Sequence, residues 1–279
     1  LNTEVLALEN KAGRVTGEAV IVGGGLVGLQ SARALDARGM KVTVIEKMER
    51  LMPLQLDAVA SDILLQATER QGIDVCLNTE VLALENKAGR VTGVCIRERI
   101  IPADLVLVTI GVKPNLEMTT ETALERDRGL LTNEYMQTNI SGIYAAGDVV
   151  QSFCQLSGKK VMRALWLSAV QQGKVAGANM AGREERYAGT IALNSIQLFG
   201  LSIISQGQIE AINGIEGKIL KYSNSGLYQK IFYQKGKLEG FILVGDVQQA
   251  GVLHHKLGQP LYTGYWGKVR VLEEDEILA

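Results

Sequence analysis

Six residues near the start of the sequence, Gly23-Gly24-Gly25-Leu26-Val27-Gly28, combine types and spacing that suit phosphate binding. They follow the short apolar run Ala19-Val20-Ile21-Val22 and open a stretch with apolar Leu26, Leu29, Ala32 and Ala34, which Gly39 closes. A strand, a G-x-G-x-x-G turn and a helix in that order form a phosphate cradle. Gly23 permits the tight turn, Gly25 lets the main chain approach a pyrophosphate, and Gly28 lets the helix pack on the strand. The helix start adds unpaired N–H groups and a partial positive charge. Lys41 to Ile45 reads as a second strand. Glu46 at its end lies about 20 residues beyond the glycines, placed to accept hydrogen bonds from an adenosine ribose. The pattern points to NAD(H). The carboxylate would repel a 2′-phosphate and so favour NADH, while Lys47 and Arg50 nearby keep NADPH open.

The elements that must hold this site follow in order. Leu56, Val59, Ala60, Ile63, Leu64 and Ala67 form the stripe of a helix over about 56–71, laid against a sheet. Residues 80–97 read as a hairpin turning at Asn86-Lys87-Ala88-Gly89. Leu105 to Ile110 forms another buried strand, ending in Gly111. Ligands of doubly wound sheets lie beyond the carboxyl ends of the strands, so Gly111 belongs near the cofactor.

Composition bounds the rest. At 279 residues the chain suggests about two domains. Apolar residues at 47% and charged residues at 21% make intrinsic disorder a poor description. Aromatics at 5% and a net charge of −1 offer neither a stacking platform nor a basic field, so no nucleic-acid partner is expected. Cys76, Cys95 and Cys154 are far apart and form no metal-ligand spacing, which fits reduced thiols in the cytoplasm. The uncharged stretch 187–209 has the length of a membrane span, but Asn194, Gln197, Gln206 and Gln208 make it a poor one. It reads as buried structure, and no membrane partner is expected.

Residues 1–17, LNTEVLALENKAGRVTG, recur letter for letter at 77–93. The second copy sits within the expected hairpin, whereas the first runs straight into the first core strand. Residues 1–17 are therefore expected to lie outside the essential core, as a loosely attached hairpin or in place of another segment.

Taken together, GGGLVG, VTVIEKMERLMP, ADLVLVTIGVKPN, IYAAGDVV, ALWLSAVQQGKVAGANMAG and LVGDVQQAG resemble the FAD- and NAD(P)H-dependent pyridine-nucleotide disulfide-reductase family over about 18–257. The branch it resembles holds NADH oxidases, rubredoxin reductases and the NADH-binding subunit of assimilatory nitrite reductases. The resemblance implies an α/β fold: a Rossmann-like NAD domain inserted in a partial FAD domain, then an α+β interface domain. It places the NAD(H) domain at 18–112, the second part of the FAD domain at 113–187, and the interface domain, usually a homodimer former, at 188–279. Residues 143–148 resemble the family's second FAD motif, implying Gly147 and Asp148 as FAD contacts. A helix over about 165–181 would point its start, Trp166 to Ala169, at the flavin; Trp166 reads equally as ordinary core. Met162, Leu165 and Met180 are assigned to packing.

Departures from the family pattern shape the functional expectation. The family begins with a first GxGxxG domain that holds the ADP half of FAD, and only the repeated 17-mer precedes Ala19. FAD retention is therefore expected to be weak. None of the three cysteines matches the family's redox cysteines, and Gln30 stands where Glu is frequent. His254 and His255, adjacent on a helix and so about 100° apart, read as surface or interface residues. No catalytic side chain and no metal ligand is assigned. The expected function is hydride transfer from NADH to FAD and on to an unidentified electron acceptor, as a homodimer. The alternative is a non-catalytic NAD-binding or dimerisation module. Glu273 to Glu276 reads as a solvated end.

Overall fold

The computed structural model describes residues 17–162, 164–223 and 226–260, together with the backbone of residues 10–11 and 14–15. The chain forms two compact units, one from the chain up to Gly111 joined by the chain from Asn194 onward, the other from Val112–Leu193. The acidic tail expected to be solvated lies outside the described residues.

The first unit begins with β1 (Glu18–Val22), α1 (Leu26–Asp36), β2 (Lys41–Ile45), α2 (Ala58–Arg70) and β3 (Asp74–Cys76). There follow β4 (Ala83–Lys87), β5 (Arg90–Cys95), β6 (Ile100–Pro102) and β7 (Leu105–Val108). β3, β2, β1 and β7 form a four-stranded parallel sheet in that order. Strand periodicity divides the apolar residues between two faces. Ile21, Val42 and Val44 pack with Leu29, Ala32, Leu35, Ala60, Ile63 and Leu64 of the two helices. Val20 and Ile45 pack with Val94, Ile96 and Ile101. The second face is thus covered by an antiparallel sheet, β4-β5-β6, in place of a crossover helix. The expected hairpin is present and gains a third strand at Ile100–Pro102.

The repeat has a consistent local structure. In the second copy Asn86 pairs with Val91 and Lys87 with Arg90 around Ala88 (φ +52°) and Gly89 (φ +80°). Both central residues of this two-residue turn are left-handed, the geometry that matches the twist of a hairpin. In the first copy Asn10 pairs with Val15 and Lys11 with Arg14, the same register, in a two-stranded ladder of its own. The repeat ends at Gly93, one residue short of Val94, which anchors β5 in the core. The aligned position after the first copy is Glu18 in β1.

The second unit contains β8 (Leu130–Leu131), β9 (Val150–Phe153), β10 (Lys160–Met162) and α3 (Trp166–Met180). β8 runs parallel to β9, and β10 antiparallel to it. Met136, Val150, Val175, Ala176 and Tyr187 form its core. Met180, expected to pack, is exposed at the last position of the helix.

The first unit is completed by β11 (Leu193–Leu198), β12 (Leu201–Gly207), β13 (Glu216–Ser223), β14 (Leu227–Gln234), β15 (Lys237–Val244) and α4 (Ala250–Lys256). The strands form an antiparallel sheet in the order β11-β12-β15-β14-β13. A homodimer would also hide the apolar surface of residues 199–204, but the chain itself covers part of that run. Phe199 and Ile203 are buried, with Leu198, in the core shared with α1 and α2. Among the described residues no helix is long and apolar enough to cross a membrane.

A polar cluster ties the antiparallel sheet to α2. Asp57 caps the helix by accepting the Ala60 N–H at 3.0 Å. It also accepts the Tyr228 hydroxyl at 2.6 Å and lies 3.5 Å from the Lys230 ammonium. Tyr228 and Lys230 are both buried, and the ammonium also stands 5.4 Å from the Phe232 ring centroid. Removing one member of a buried ion pair costs about 3–5 kcal/mol, more than loss of a helix cap alone. Asp57→Ala is therefore expected to lower the thermal midpoint by roughly 6–12 °C in a calorimetric scan. A fall within about 2 °C would show that the cluster does not hold α2 to the sheet.

Candidate functional site

At the carboxyl end of β1 the chain is pinned from both sides. The Gly23 N–H donates to the Ile45 carbonyl at 2.8 Å, and the Thr109 N–H donates to the Val22 carbonyl at 2.8 Å. The Thr109 hydroxyl lies 3.1 Å from the Val22 carbonyl and 3.2 Å from that of Gly23. Gly23 has φ +113°, and a Cβ there would fall 2.5 Å from the Thr109 carbonyl oxygen. A Cβ on Gly28 would collide with the Gly23 carbonyl oxygen and stand 2.8 Å from the Thr109 hydroxyl. Gly28 is therefore what lets α1 seat against the turn. Thr109 is a site residue that the sequence reading passed over, since only the three-dimensional turn shows what its hydroxyl does.

Gly25 differs. It is the N-cap of α1, no side chain caps the helix there, and a Cβ would meet nothing within 4 Å. The start of α1 is thus an uncapped helix end beside open space, suited to an anion approaching its N–H groups. Leu26 is half-buried at the first helical position, and Val27 is exposed beside it. Gly111, two residues beyond Thr109, has φ +93° and is likewise open around its Cβ position.

Glu46 closes the turn from the β2 side. It is only 8% exposed. One carboxylate oxygen accepts the Gly24 N–H at 2.6 Å, and the other accepts the Met48 N–H at 2.8 Å. The Met52 N–H in turn donates to the Gly24 carbonyl at 3.0 Å, so the loop 46–52 is laced to Gly24 at both ends. A Cβ on Gly24 would fall 2.7 Å from Leu51 and 3.1 Å from the Glu46 Cβ. The sequence placed Glu46 at the turn; its grip on the glycine main chain is a second job that the motif does not announce.

The two cations of this loop are already engaged. Lys47 pairs with Glu80 at 2.6 Å, and its hydrogen bond and charge hold the exposed Glu80 carboxyl below the usual carboxylate range. Arg50 pairs with Glu210 at 2.7 Å and with Glu49 at 2.9 Å.

In the second unit, Gly147 (φ +84°) and Asp148 form the turn into β9. The Gly147 N–H donates to Gln172 Oε1 at 2.8 Å. Gln172 is 1% exposed, and its Nε2 donates to the Ser152 hydroxyl at 2.8 Å. A Cβ on Gly147 would stand 3.6 Å from Ala169, in the first turn of α3. Asp148 is exposed. Leu165, the N-cap of α3, makes no side-chain cap bond, and the buried Ser168 hydroxyl near that end has no hydrogen-bond partner. Trp166 is 77% exposed, so its reading as ordinary core is corrected: the first position of the helix points it outward. Gln172, which carries no motif signal, ties the turn to α3.

His254 Nδ1 lies 3.0 Å from Gln206 Oε1, and both histidines are exposed on α4. Among the described residues no group of three His, Cys, Asp or Glu could hold a metal ion.

The profile of the pyridine nucleotide-disulphide oxidoreductase family matches residues 2–173, and that of the rubredoxin NAD+ reductase C-terminal domain matches residues 193–257. An NADH-dependent phenylglyoxylate dehydrogenase subunit epsilon from Aromatoleum evansii is 34% identical over 239 residues, covering 85% of this chain and 56% of that protein. A nitrite reductase [NAD(P)H] from Bacillus subtilis is 30% identical over 260 residues, covering 92% of this chain and 31% of that protein. A solved NAD-dependent persulfide reductase from A. fulgidus superposes with a TM-score of 0.81 at 28% identity, covering 87% of this chain and 49% of that one. The chain thus spans about half, or less, of the length of these relatives.

The glycine geometry separates stability from binding. Gly28→Ala is expected to lower the thermal midpoint by roughly 4 °C or more, and Gly25→Ala to leave it within about 1 °C. Circular-dichroism melts of the two variants check this; equal shifts would contradict the assignment of Gly28 to packing and Gly25 to open space.

Proposed function

Because the chain belongs to the pyridine nucleotide-disulphide oxidoreductase family, we propose that its first unit binds NADH and serves NADH-dependent flavoprotein electron transfer. The observation that carries this reading is the pairing of an uncapped, open helix start at Gly25 with the nearly buried Glu46 carboxylate on the same turn. Gly23 to Gly28 shape the pyrophosphate cradle, with the main chain at Gly25 and the first turn of α1 at Leu26 and Val27 facing the phosphates. Each Glu46 oxygen accepts one backbone N–H and keeps capacity for a second donor, which suits the ribose diol. Gly111 borders the same end of the sheet.

The second unit supplies contacts for FAD in this reading. Gln172 fixes the Gly147-Asp148 turn, which leaves the Asp148 carboxylate exposed to accept from hydroxyl donors. The uncapped start of α3, from Trp166 to Ala169, offers N–H groups and a partial positive charge to an electron-rich ring edge. The buried Ser168 hydroxyl without a partner supports a polar ligand at that end. Bound FAD would supply a two-electron acceptor for the nicotinamide hydride and a relay to an external acceptor. The protein's part is to bind and orient, and no side-chain acid or base is assigned.

The acceptor is a redox partner of the kind the relatives' names suggest, such as nitrite-reducing or rubredoxin-linked centres. A homodimer built on the antiparallel sheet and a cytoplasmic setting belong to the same reading.

Titration with NADH and NADPH by nucleotide fluorescence tests the proposal. Saturable binding with NADH the tighter is expected; Glu46→Gln should weaken NADH about tenfold and NADPH by less. Absence of saturable NADH binding at millimolar concentration would contradict the reading.

The visible spectrum after mixing with FAD tests the second unit. With FAD in excess, flavin bands that bleach on adding NADH, with little flavin kept through gel filtration, are expected of an electron-transferring chain that retains FAD weakly. Bands that stay unbleached by a protein that still binds NADH would show a binding module instead.

A further inference from the structure

The loop that carries Glu46 also carries two cations, and each is neutralised by a carboxylate from elsewhere in the same unit. Lys47 meets Glu80 just before β4, and Arg50 meets Glu210 just after β12. The Arg50 pair spans 160 residues of sequence. Its side chain is 22% exposed, against 43% for Glu210, so the guanidinium is the more enclosed partner. A second donor bond runs from Arg50 to the Pro53 carbonyl at 3.5 Å, and Glu49 holds the other terminal nitrogen. The arginine is fixed from three directions on a loop laced to the glycine turn.

An arginine is the side chain best built to grip a phosphate, because its planar fork meets the oxygens in pairs. Beside a ribose-binding carboxylate, a free arginine would be a ready contact for a 2′-phosphate. Here both terminal nitrogens are engaged by carboxylates, while the buried Nε has no partner among the described residues. We propose that Glu210, supplied by the loop between β12 and β13, is a cofactor-specificity residue: by holding Arg50 it denies the 2′-phosphate of NADPH its cation and so biases the site toward NADH. Glu49 acts in the same sense from within the loop. Discrimination then has two parts, the acceptor at Glu46 and the engaged cation at Arg50. The loop between β12 and β13 thereby takes part in dinucleotide choice. Glu210 is a positioning residue, acting through Arg50 rather than touching the cofactor. The inference rests on the reading of the glycine turn as an NADH site.

The test measures dissociation constants for NADH, NADPH, 5′-AMP and 2′,5′-ADP by calorimetry on the full chain, for the parent, E210Q, E49Q/E210Q and R50Q/E210Q. E210Q is expected to tighten NADPH and 2′,5′-ADP about fivefold and leave NADH and 5′-AMP within about twofold, since partly exposed charge pairs carry about 1 kcal/mol. E49Q/E210Q should gain further, and the gain should disappear in R50Q/E210Q and shrink at high salt. Unchanged NADPH affinity in both E210Q and E49Q/E210Q, with NADH binding intact, would overturn the role of Glu210 while leaving the NADH site standing. A gain that persists without Arg50 would also overturn it, because the carboxylate would then act through its field alone. A parent chain that binds none of the four would overturn the site and this inference together.

Discussion

One buried carboxylate holds the carboxyl end of the parallel sheet. Glu46 is nearly enclosed, and burying an ionised carboxylate is costly unless hydrogen bonds replace the lost water. The Gly24 and Met48 N–H groups make that replacement, and in doing so fix the β1–α1 turn against the loop that follows β2. Such charge-assisted bonds are short and comparatively strong. The same turn requires Gly23 to stand clear of Thr109 and Gly28 to stand clear of Gly23. Sequence motif, packing and binding capacity therefore meet in the six residues Gly23 to Gly28. What remains free there, the Gly25 main chain and the α1 start, is the part a phosphate would use.

Much of this was legible in the residues themselves. The strand–glycine–helix–strand order with an acid at the end of the second strand located the turn, and the α2 stripe located the helix that backs it. Other features depend on contacts between distant residues and leave no local pattern. Arg50 with Glu210, Asp57 with Tyr228 and Lys230, and Gln172 under Gly147 each join segments whose separation carries no periodic signal. The third strand at Ile100–Pro102 is short and ends in proline, so composition alone argued against it. Phe199 and Ile203 find their neighbours in α1 and α2, far away in sequence.

The repeat shows how far local sequence reaches. Identical residues at 10–15 and 86–91 adopt identical pairing, so the hairpin register is encoded within the copied segment. Burial is not: the core anchor Val94 lies just outside the copy, and the equivalent position at Glu18 belongs to a different sheet. Turn chemistry fixes register over a few residues, whereas membership of a core depends on what the strand meets. The same distinction separates the glycine turn, readable from six letters, from the charge pairs around it.

Hydrogen–deuterium exchange with and without saturating NADH tests the central claim most directly, because it locates binding on the backbone. The account predicts slowed exchange in peptides covering residues 23–29 and 46–52, and little change across the outer hairpin of residues 83–91. Protection confined to other segments, or none in these two while NADH is demonstrably bound, would contradict a dinucleotide site organised by Glu46 and the glycine turn.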